Sequence, residues 1–405
     1  MFDVIVVGGG ASGMVTAIVS ARRGKKVLVL EKNNKLGKKL LATGNGKCNI
    51  TNQRPTLERF YSQNPKFIAQ VFEGYNYQTI KQFFKSIGLE LIEAKEGKVF
   101  PMSLQASSVV ELLRAECEQL GVKILLDTEV KSIKKWEQGY GIEHSKGSEQ
   151  ASSIVMATGH LSAPQLGGVD KGITFAQKMG HRIIKSFPTL VQLTSPMKNL
   201  ERMAGVKVES RVSLKRKNQQ DIQKQGDVLF TSYGISGLAI LDISRFVMEE
   251  LIHSPTVMLE IDLMPKMSKE QLFSLMKKSL VKKSSKPLEL WMQGFINKKL
   301  IPAILEPLKL QNETVGSMFL NIKELEKIVD KIKNFHFTVD GSRGYKGAEV
   351  ATGGVDTKEV YSQTLESKKH KALYFTGEVL DVDGDRGGFN LHFAWVCGLR
   401  AGEAV

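Results

Sequence analysis

Three glycines at fixed spacing, Gly8, Gly10 and Gly13, and a carboxylate further on at Glu31 are the first residues whose types and order suggest chemistry. In the pattern GxGxxG the first glycine allows a tight turn. The second lets the backbone approach a pyrophosphate with no side chain in the way, and the third permits close packing of helix on strand. Ala11 and Ser12, between them, would open a helix whose unpaired N–H groups face the phosphates. A carboxylate at Glu31 would accept hydrogen bonds from a ribose and repel a 2′-phosphate, which disfavours NADP here. A solvated residue at a strand end is the alternative reading.

The elements needed to hold these residues are legible around them. Val4 to Val7 is an apolar, β-branched run of the kind buried on both faces of a parallel sheet. Met14 to Ala21 is small and apolar at helical spacing, and Gly24 is a helix stop. Val27 to Leu30 is a second buried strand that delivers Glu31 and Lys32. With strand, helix and strand in order, a bound dinucleotide is expected here, with FAD and NAD both open at this point.

Leu36 to Asn52, LGKKLLATGNGKCNITN, suits a loop lying against a polyanionic or polar ligand, with Lys38, Lys39 and Lys47 as phosphate partners. This segment resembles the signature that follows the first βαβ unit in a family of bacterial flavoproteins, the aminoacetone-oxidase-like or BaiN-like NAD(P)/FAD-dependent oxidoreductases. The resemblance implies that Gly44, Asn45, Gly46, Lys47, Cys48 and Asn49 lie near a flavin. It also implies that Val130, or a neighbour, gives backbone contacts to the adenine. Cys48 invites a redox reading, but a flavin-linked disulfide needs a second cysteine nearby and none is present, so packing is expected.

Ser152 to His160, SSIVMATGH, is an apolar strand ending on Ala157, Thr158 and Gly159, small enough for backbone to meet a pyrophosphate or flavin edge. It resembles the family's second cofactor-contact motif. The chain departs from that pattern at His160, at Ala163, and at Asp170, Lys171 and Gly172, so the family's substrate does not carry over with its cofactor. His160 is a candidate acid or base, though a lone histidine after a strand is more often a satisfied loop residue.

The last sixty residues bear on the cofactor. Ala372 to Glu378 reads as a buried strand reaching Gly377 and Glu378. Asp381 and a glycine-rich turn follow, and Gly387, Gly388, Phe389 and Asn390 open an apolar helix. An acid and a glycine-rich helix start, at the far end of the chain from GxGxxG, suit a ligand as long as FAD. By resemblance to the family's Gly-Glu and Gly-Gly-aromatic-Asn motifs, Gly377, Glu378 and Asp381 would contact the ribityl or pyrophosphate region. Residues 387–390 would present N–H groups to the ring. Asp381, Asp383 and Asp385 lack the terminal glutamate of a calcium loop, and no metal site is expected.

Between the two halves the pattern changes. The expected fold is α/β: a Rossmann-like FAD-binding domain with a parallel sheet (1–187 and 346–405), interrupted by an insert (188–345). The insert is expected to be β-barrel-like over 188–252 and 321–345 and helical over 253–320, as in the family. Residues 53–98 read as mostly helical, Ser107 or Ser108 as the N-cap of the next helix, and Tyr140 to His144 as a hairpin arm.

The chain of 405 residues carries a net charge of +15, with 57 basic and 42 acidic side chains. Its lysine clusters, Lys215 to Lys217 and Lys282, Lys283 and Lys286, lack interleaved aromatics and read as solvated faces, so a nucleic-acid partner is not the first expectation. Three scattered cysteines, no signal peptide and no long apolar run point to a cytoplasmic protein without membrane insertion. Nothing in the sequence specifies an oligomeric state.

The resemblance implies an FAD-dependent oxidoreductase that transfers hydride at flavin N5 to or from a small amine, ketone or enone. NAD(P)H would act as transient donor, without a dedicated domain, since no second GxGxxG occurs. An RNA-modifying flavoprotein, which the basic balance permits, and a non-catalytic FAD-binding protein are the alternatives.

Overall fold

A computed structural model describes residues 1–216 and 219–405, so Lys217 of the first lysine cluster lies outside the described residues. The residues divide into two compact units, Met1–Phe187 with Glu349–Val405, and Pro188–Ala348. In the first, β1 (Phe2–Val7) leads into α1 (Ala11–Arg22) and β2 (Val27–Leu30). Helix α2 (Ala106–Gln119) leads to β3 (Lys123–Leu125), and β4 (Val130–Trp136), β5 (Gly139–His144) and β6 (Gly147–Met156) follow. Strand β7 (Leu373–Phe375) and helix α3 (Phe389–Ala404) come from the C-terminal segment.

The parallel sheet runs β3-β2-β1-β6-β7, and the first half of β6 turns outward to pair antiparallel with β5, which pairs with β4. Val4 to Val7 and Val27 to Leu30 are all buried, as strands covered on both faces must be. Register then does the positioning. Val7 sits beside Leu30 and Met156, and Met156 beside Phe375, so the next residue of each strand falls in one row along the carboxyl edge: Glu31, Gly8, Ala157 and Thr376. In open α/β sheets this edge is where ligands bind.

Helix α3 is the other organiser. It lies along α1, and a methyl group at Gly398 would come 2.7 Å from the Ser12 carbonyl oxygen, while one at Gly402 would meet Val19. These two glycines let the first and last helices of the chain touch backbone to backbone. Trp395 in α3 is fully buried and donates to the Ile50 carbonyl at 2.8 Å.

Several local expectations are corrected. Residues 53–98 hold helices Pro65–Phe72 and Tyr77–Ser86 but also strands Leu91–Glu93 and Lys98–Pro101. Helix α2 starts behind Gln105, one residue before Ser107 and with no capping side chain, so neither serine is its N-cap.

In the second unit seven strands form an open path from Phe335–Val339 at one end to Gly341–Ser342 at the other, and among the described residues no pairing joins the two ends. Strand Val257–Asp262 lies where helix was expected, its Val257, Leu259 and Ile261 buried in alternation. Helices Leu238–Leu251 and Ile322–Lys333 lie where strands were expected, each burying an apolar stripe. Among the described residues no helix is long and apolar enough to cross a membrane.

Candidate cofactor site

The three glycines of GxGxxG have three different surroundings. Gly8 has φ +110°, and a side chain there would run into the Ala157 carbonyl of the neighbouring strand. A methyl at Gly13 would overlap the Gly8 carbonyl oxygen, so α1 can lie this close to β1 only with glycine at that position. At Gly10, by contrast, nothing among the described residues lies within 4 Å of where a Cβ would sit. Two glycines are therefore required by packing and the middle one faces open space, as an approaching pyrophosphate requires. Gly10 is also the N-cap of α1 and supplies no capping side chain, so the first-turn N–H groups point outward uncapped.

Glu31 is buried at 7% exposure. Its Oε2 accepts from the Gly9 N–H at 2.8 Å, and its Oε1 from the backbone and side-chain N–H groups of Asn33 at 2.8 and 2.6 Å. A carboxylate has about four acceptor positions, so room remains for a ribose hydroxyl. Gly9 and Asn33 were missed in the sequence; for Gly9 the middle glycine of GGG was the visible signal. Lys32 follows at the rim, where burial lowers its pKa. Val130 is buried and its backbone pairs with His144, while Thr128 donates to the Glu31 carbonyl, so this crossing segment flanks the Glu31 end.

The glycine-lysine loop arrives at the same edge. Gly44, Asn45, Gly46 and Cys48 all have positive φ, and the turn closes on itself through the Lys47 N–H to the Gly44 carbonyl at 3.2 Å and the Cys48 N–H to the Thr43 carbonyl at 3.0 Å. Gly44 to Lys47 are exposed. Lys39 reaches over to donate to Ser162 Oγ at 2.5 Å and Glu378 Oε2 at 2.8 Å, and Glu378 in turn lies beside Gly159. Ser162 had not been singled out. Thr158 is pressed against Gly172 at the start of a short helix, where no side chain would fit.

At the other end the turn before α3 is clamped by the 49–52 segment. Asn49 Oδ1 accepts from the Val99 N–H at 3.2 Å, Asn52 Nδ2 donates to the Gly387 carbonyl at 3.2 Å, and a methyl at Gly388, whose φ is +97°, would overlap the Thr51 carbonyl. Gly388 caps α3 without a side chain, as Gly10 does for α1. Gly377, φ +70°, abuts Ser12 Oγ, and Thr376 Oγ1 donates to Ser12 Oγ at 3.2 Å.

Some candidates spend their side chains on the protein itself. The Asp381 carboxylate accepts from the Gln63 N–H at 2.9 Å and from Ser62, so it braces a turn. Asn390 spends its amide on Gly384 and Asp385 backbone, and the Phe389 ring is buried under Phe60 with the Arg59 guanidinium 4.5 Å from its centroid. The side chains at 389 and 390 are thus both taken up by the protein itself.

Neither catalytic candidate is poised. His160 is 2% exposed; its Nδ1 accepts from the Leu161 N–H at 2.6 Å and its Nε2 lies 2.9 Å from Ser186 Oγ. Burial, partly opposed by Glu378, lowers it to about 4, so it stays neutral with both nitrogens engaged. Cys48 is fully buried, and desolvation pushes its thiol up to about 11, which denies it the thiolate.

The HI0933-like protein Rossmann domain family matches residues 2–404. The chain is 34% identical over 402 residues, 99% of its own length and 98% of the relative's, to a 3-dehydro-bile acid delta(4,6)-reductase of Clostridium scindens. It is 33% identical over 397 residues, 96% of its length and 95% of the relative's, to a ribosomal RNA dihydrouridine synthase of Haemophilus influenzae. The fold is shared with 3-ketosteroid delta1-dehydrogenase of Sterolibacterium denitrificans at a TM-score of 0.53 and 13% identity, covering 99% of this chain and 98% of that one. The chain belongs to the HI0933-like Rossmann family and is an oxidoreductase.

Proposed function

We propose that this protein binds FAD along the carboxyl edge of its parallel sheet and reduces a carbon–carbon double bond conjugated to a carbonyl. One observation carries the cofactor assignment. Two helix starts without side-chain caps, behind Gly10 and behind Gly388, belong to helices packed side by side through Ser12 and Gly398, so one elongated ligand can meet both.

Bound there, the flavin supplies hydride transfer at N5. The chain's own residues hold and tune it. Gly10 and the start of α1 would receive the pyrophosphate, Glu31 the adenosine ribose, and Lys39 with Glu378 the middle of the ligand. The start of α3 would offer about half a positive charge to the ring as it gains electrons, which would favour the reduced form without a charged side chain. Hydride added at the carbon β to the carbonyl leaves an enolate, whose α-carbon takes its proton from water, since neither His160 nor Cys48 is placed to supply one. We assign NAD(P)H as the transient electron donor.

Of the substrate classes weighed, small amine, ketone or enone, the C. scindens relative's name supports the enone. A small-molecule enone is the first reading. The second is uridine in ribosomal RNA, whose C5=C6 bond is conjugated to C4=O and is reduced by the same chemistry. The H. influenzae relative and the net charge of +15 favour it. Anaerobic mixing of the yellow protein with NADPH or NADH and then a cyclic enone tests the common claim. Flavin bleaching by the nucleotide and its return with loss of the enone absorbance are expected; bleaching by amines and not by NAD(P)H would instead mark an amine oxidase.

A further inference from the structure

The second unit holds 25 basic and 17 acidic residues, and its basic excess is concentrated in the last turn of helix Lys269–Lys278 and the loop that follows it. Residues 277–286 read KKSLVKKSSK: five lysines and no acid in ten positions. All five are exposed. Several other cations of the unit are matched, as in Lys266 with Glu209, Lys269 with Asp330 and Lys333 with Asp262. Lys278, Lys282, Lys283 and Lys286 have no acidic partner within 4 Å among the described residues.

This loop is not a loose tether. Leu280 and Leu288 at its ends are buried in the core of the unit. Its backbone is pinned to a neighbouring helix, Val315–Leu320, because Gly316 N–H donates to the Ser284 carbonyl at 2.9 Å and Val315 N–H to the Lys286 carbonyl at 3.0 Å. A methyl on Gly316 would stand 2.8 Å from that Ser284 oxygen. Ordering these lysines side by side costs self-repulsion, and no ion pair among the described residues offsets it for Lys278, Lys282, Lys283 and Lys286. Val281 at 60%, Leu290 at 54% and Leu320 at 75% exposure lie on the loop or on the helices joined to it.

We infer that this lysine loop is a docking surface for the phosphodiester backbone of RNA, presenting cations to phosphates and short apolar side chains to riboses and bases. The inference rests on the second substrate reading above. RNA is favoured over an anionic lipid surface because the exposed apolar side chains here, Leu275, Val281, Leu290, Phe319 and Leu320, are spread over the loop and three separate helices, and among the described residues no single helix face gathers them as a bilayer would require. The surface reads no sequence; it adds affinity that falls with salt.

The test uses the intact holoprotein and unmodified ribosomal RNA transcribed in vitro. Binding is titrated from 50 to 300 mM salt for wild type, for Lys278→Ala/Lys282→Ala/Lys283→Ala/Lys286→Ala, and for a control with Lys66, Lys85, Lys131 and Lys135 changed to Ala. Four lost phosphate contacts make the slope of log Kobs against log salt shallower by roughly 3, with affinity down at least about tenfold near 0.15 M salt. The control should bind as wild type, and both variants should reduce a small enone at the wild-type rate. Wild-type RNA binding unchanged in the loop variant would overturn the surface but leave the RNA reading standing. Absence of RNA binding by wild type, with enone reduction intact, would overturn the RNA reading and the surface with it. Loop-dependent binding to phosphatidylglycerol vesicles but not to RNA would also overturn the proposal.

Discussion

Lys39 and Glu378 stand 339 residues apart in the sequence and 2.8 Å apart in the structure, Nζ to Oε2. The pair joins the glycine-lysine loop to the segment that leads into the last helix, and Ser162 Oγ completes the group. Both side chains keep some solvent, at 31% and 21% exposure, so the coupling is that of a partly screened pair. A double-mutant cycle with Lys39→Ala and Glu378→Ala should give a coupling of about 1 kcal/mol in the flavin-free protein, shrinking as salt rises. A coupling indistinguishable from zero at low salt would mean the pair does not join the two segments.

Gly13→Ala should be costly because a methyl group there meets the Gly8 carbonyl oxygen. Overpacking of this kind costs about 1–3 kcal/mol, or roughly 2–10 °C in Tm for a domain of this size. Gly24→Ala, which has open space around it but φ +81°, serves as the comparison for backbone strain without a clash. Thermal melts of the two variants beside wild type measure the difference, and equal Tm values would contradict the close approach of α1 to β1.

Burial keeps two histidines neutral in the folded protein: His160, lowered to about 4, and His392, lowered to about 3. In the unfolded chain each titrates near 6.5. Because the unfolded state binds protons first, their contribution is fully present above pH 6.5 and is lost as pH falls through 6.5 towards 4 and 3. His160→Gln should therefore flatten the fall in urea midpoint between pH 7 and pH 5, while lowering stability at both. An unchanged slope would show that His160 is protonated in the fold.

All three cysteines are buried, with thiols pushed up to about 11 at Cys48 and about 12 at Cys117 and Cys397. A chromogenic disulfide reagent at pH 8 should find no fast thiol in the native protein and three after denaturation. One fast native thiol, lost in Cys48→Ser, would restore Cys48 as a redox candidate.

What was legible follows from which residues leave a signature. GxGxxG, the two-sided apolar strands and the glycine pair before α3 could be read because each demands particular residue types at particular spacings. Gly9 could not be separated from its neighbours, since its partner Glu31 lies 22 residues away across a strand pairing. The side-chain role of Asp381 was hidden for a similar reason: a carboxylate beside a ligand loop has the same letter whether it faces the ligand or braces a turn, and here it accepts from Gln63 and Ser62. In the second unit the alternation Val257, Leu259, Ile261 and the stripe Leu325, Ile328, Val329, Ile332 were both present in the sequence. They were lost against a stretch assigned by its overall pattern. Helix α2 was placed late because Gln105 gives no capping signal.

The central claim is that both ends of the chain hold one FAD, and a fluorescence titration of flavin-free protein with FAD tests it most directly. Wild type should bind one equivalent, and Gly10→Glu and Gly388→Asp should each bind at least about tenfold more weakly while keeping a folded circular-dichroism spectrum. Failure of wild type to take up FAD would contradict the account, as would wild-type affinity in either folded variant.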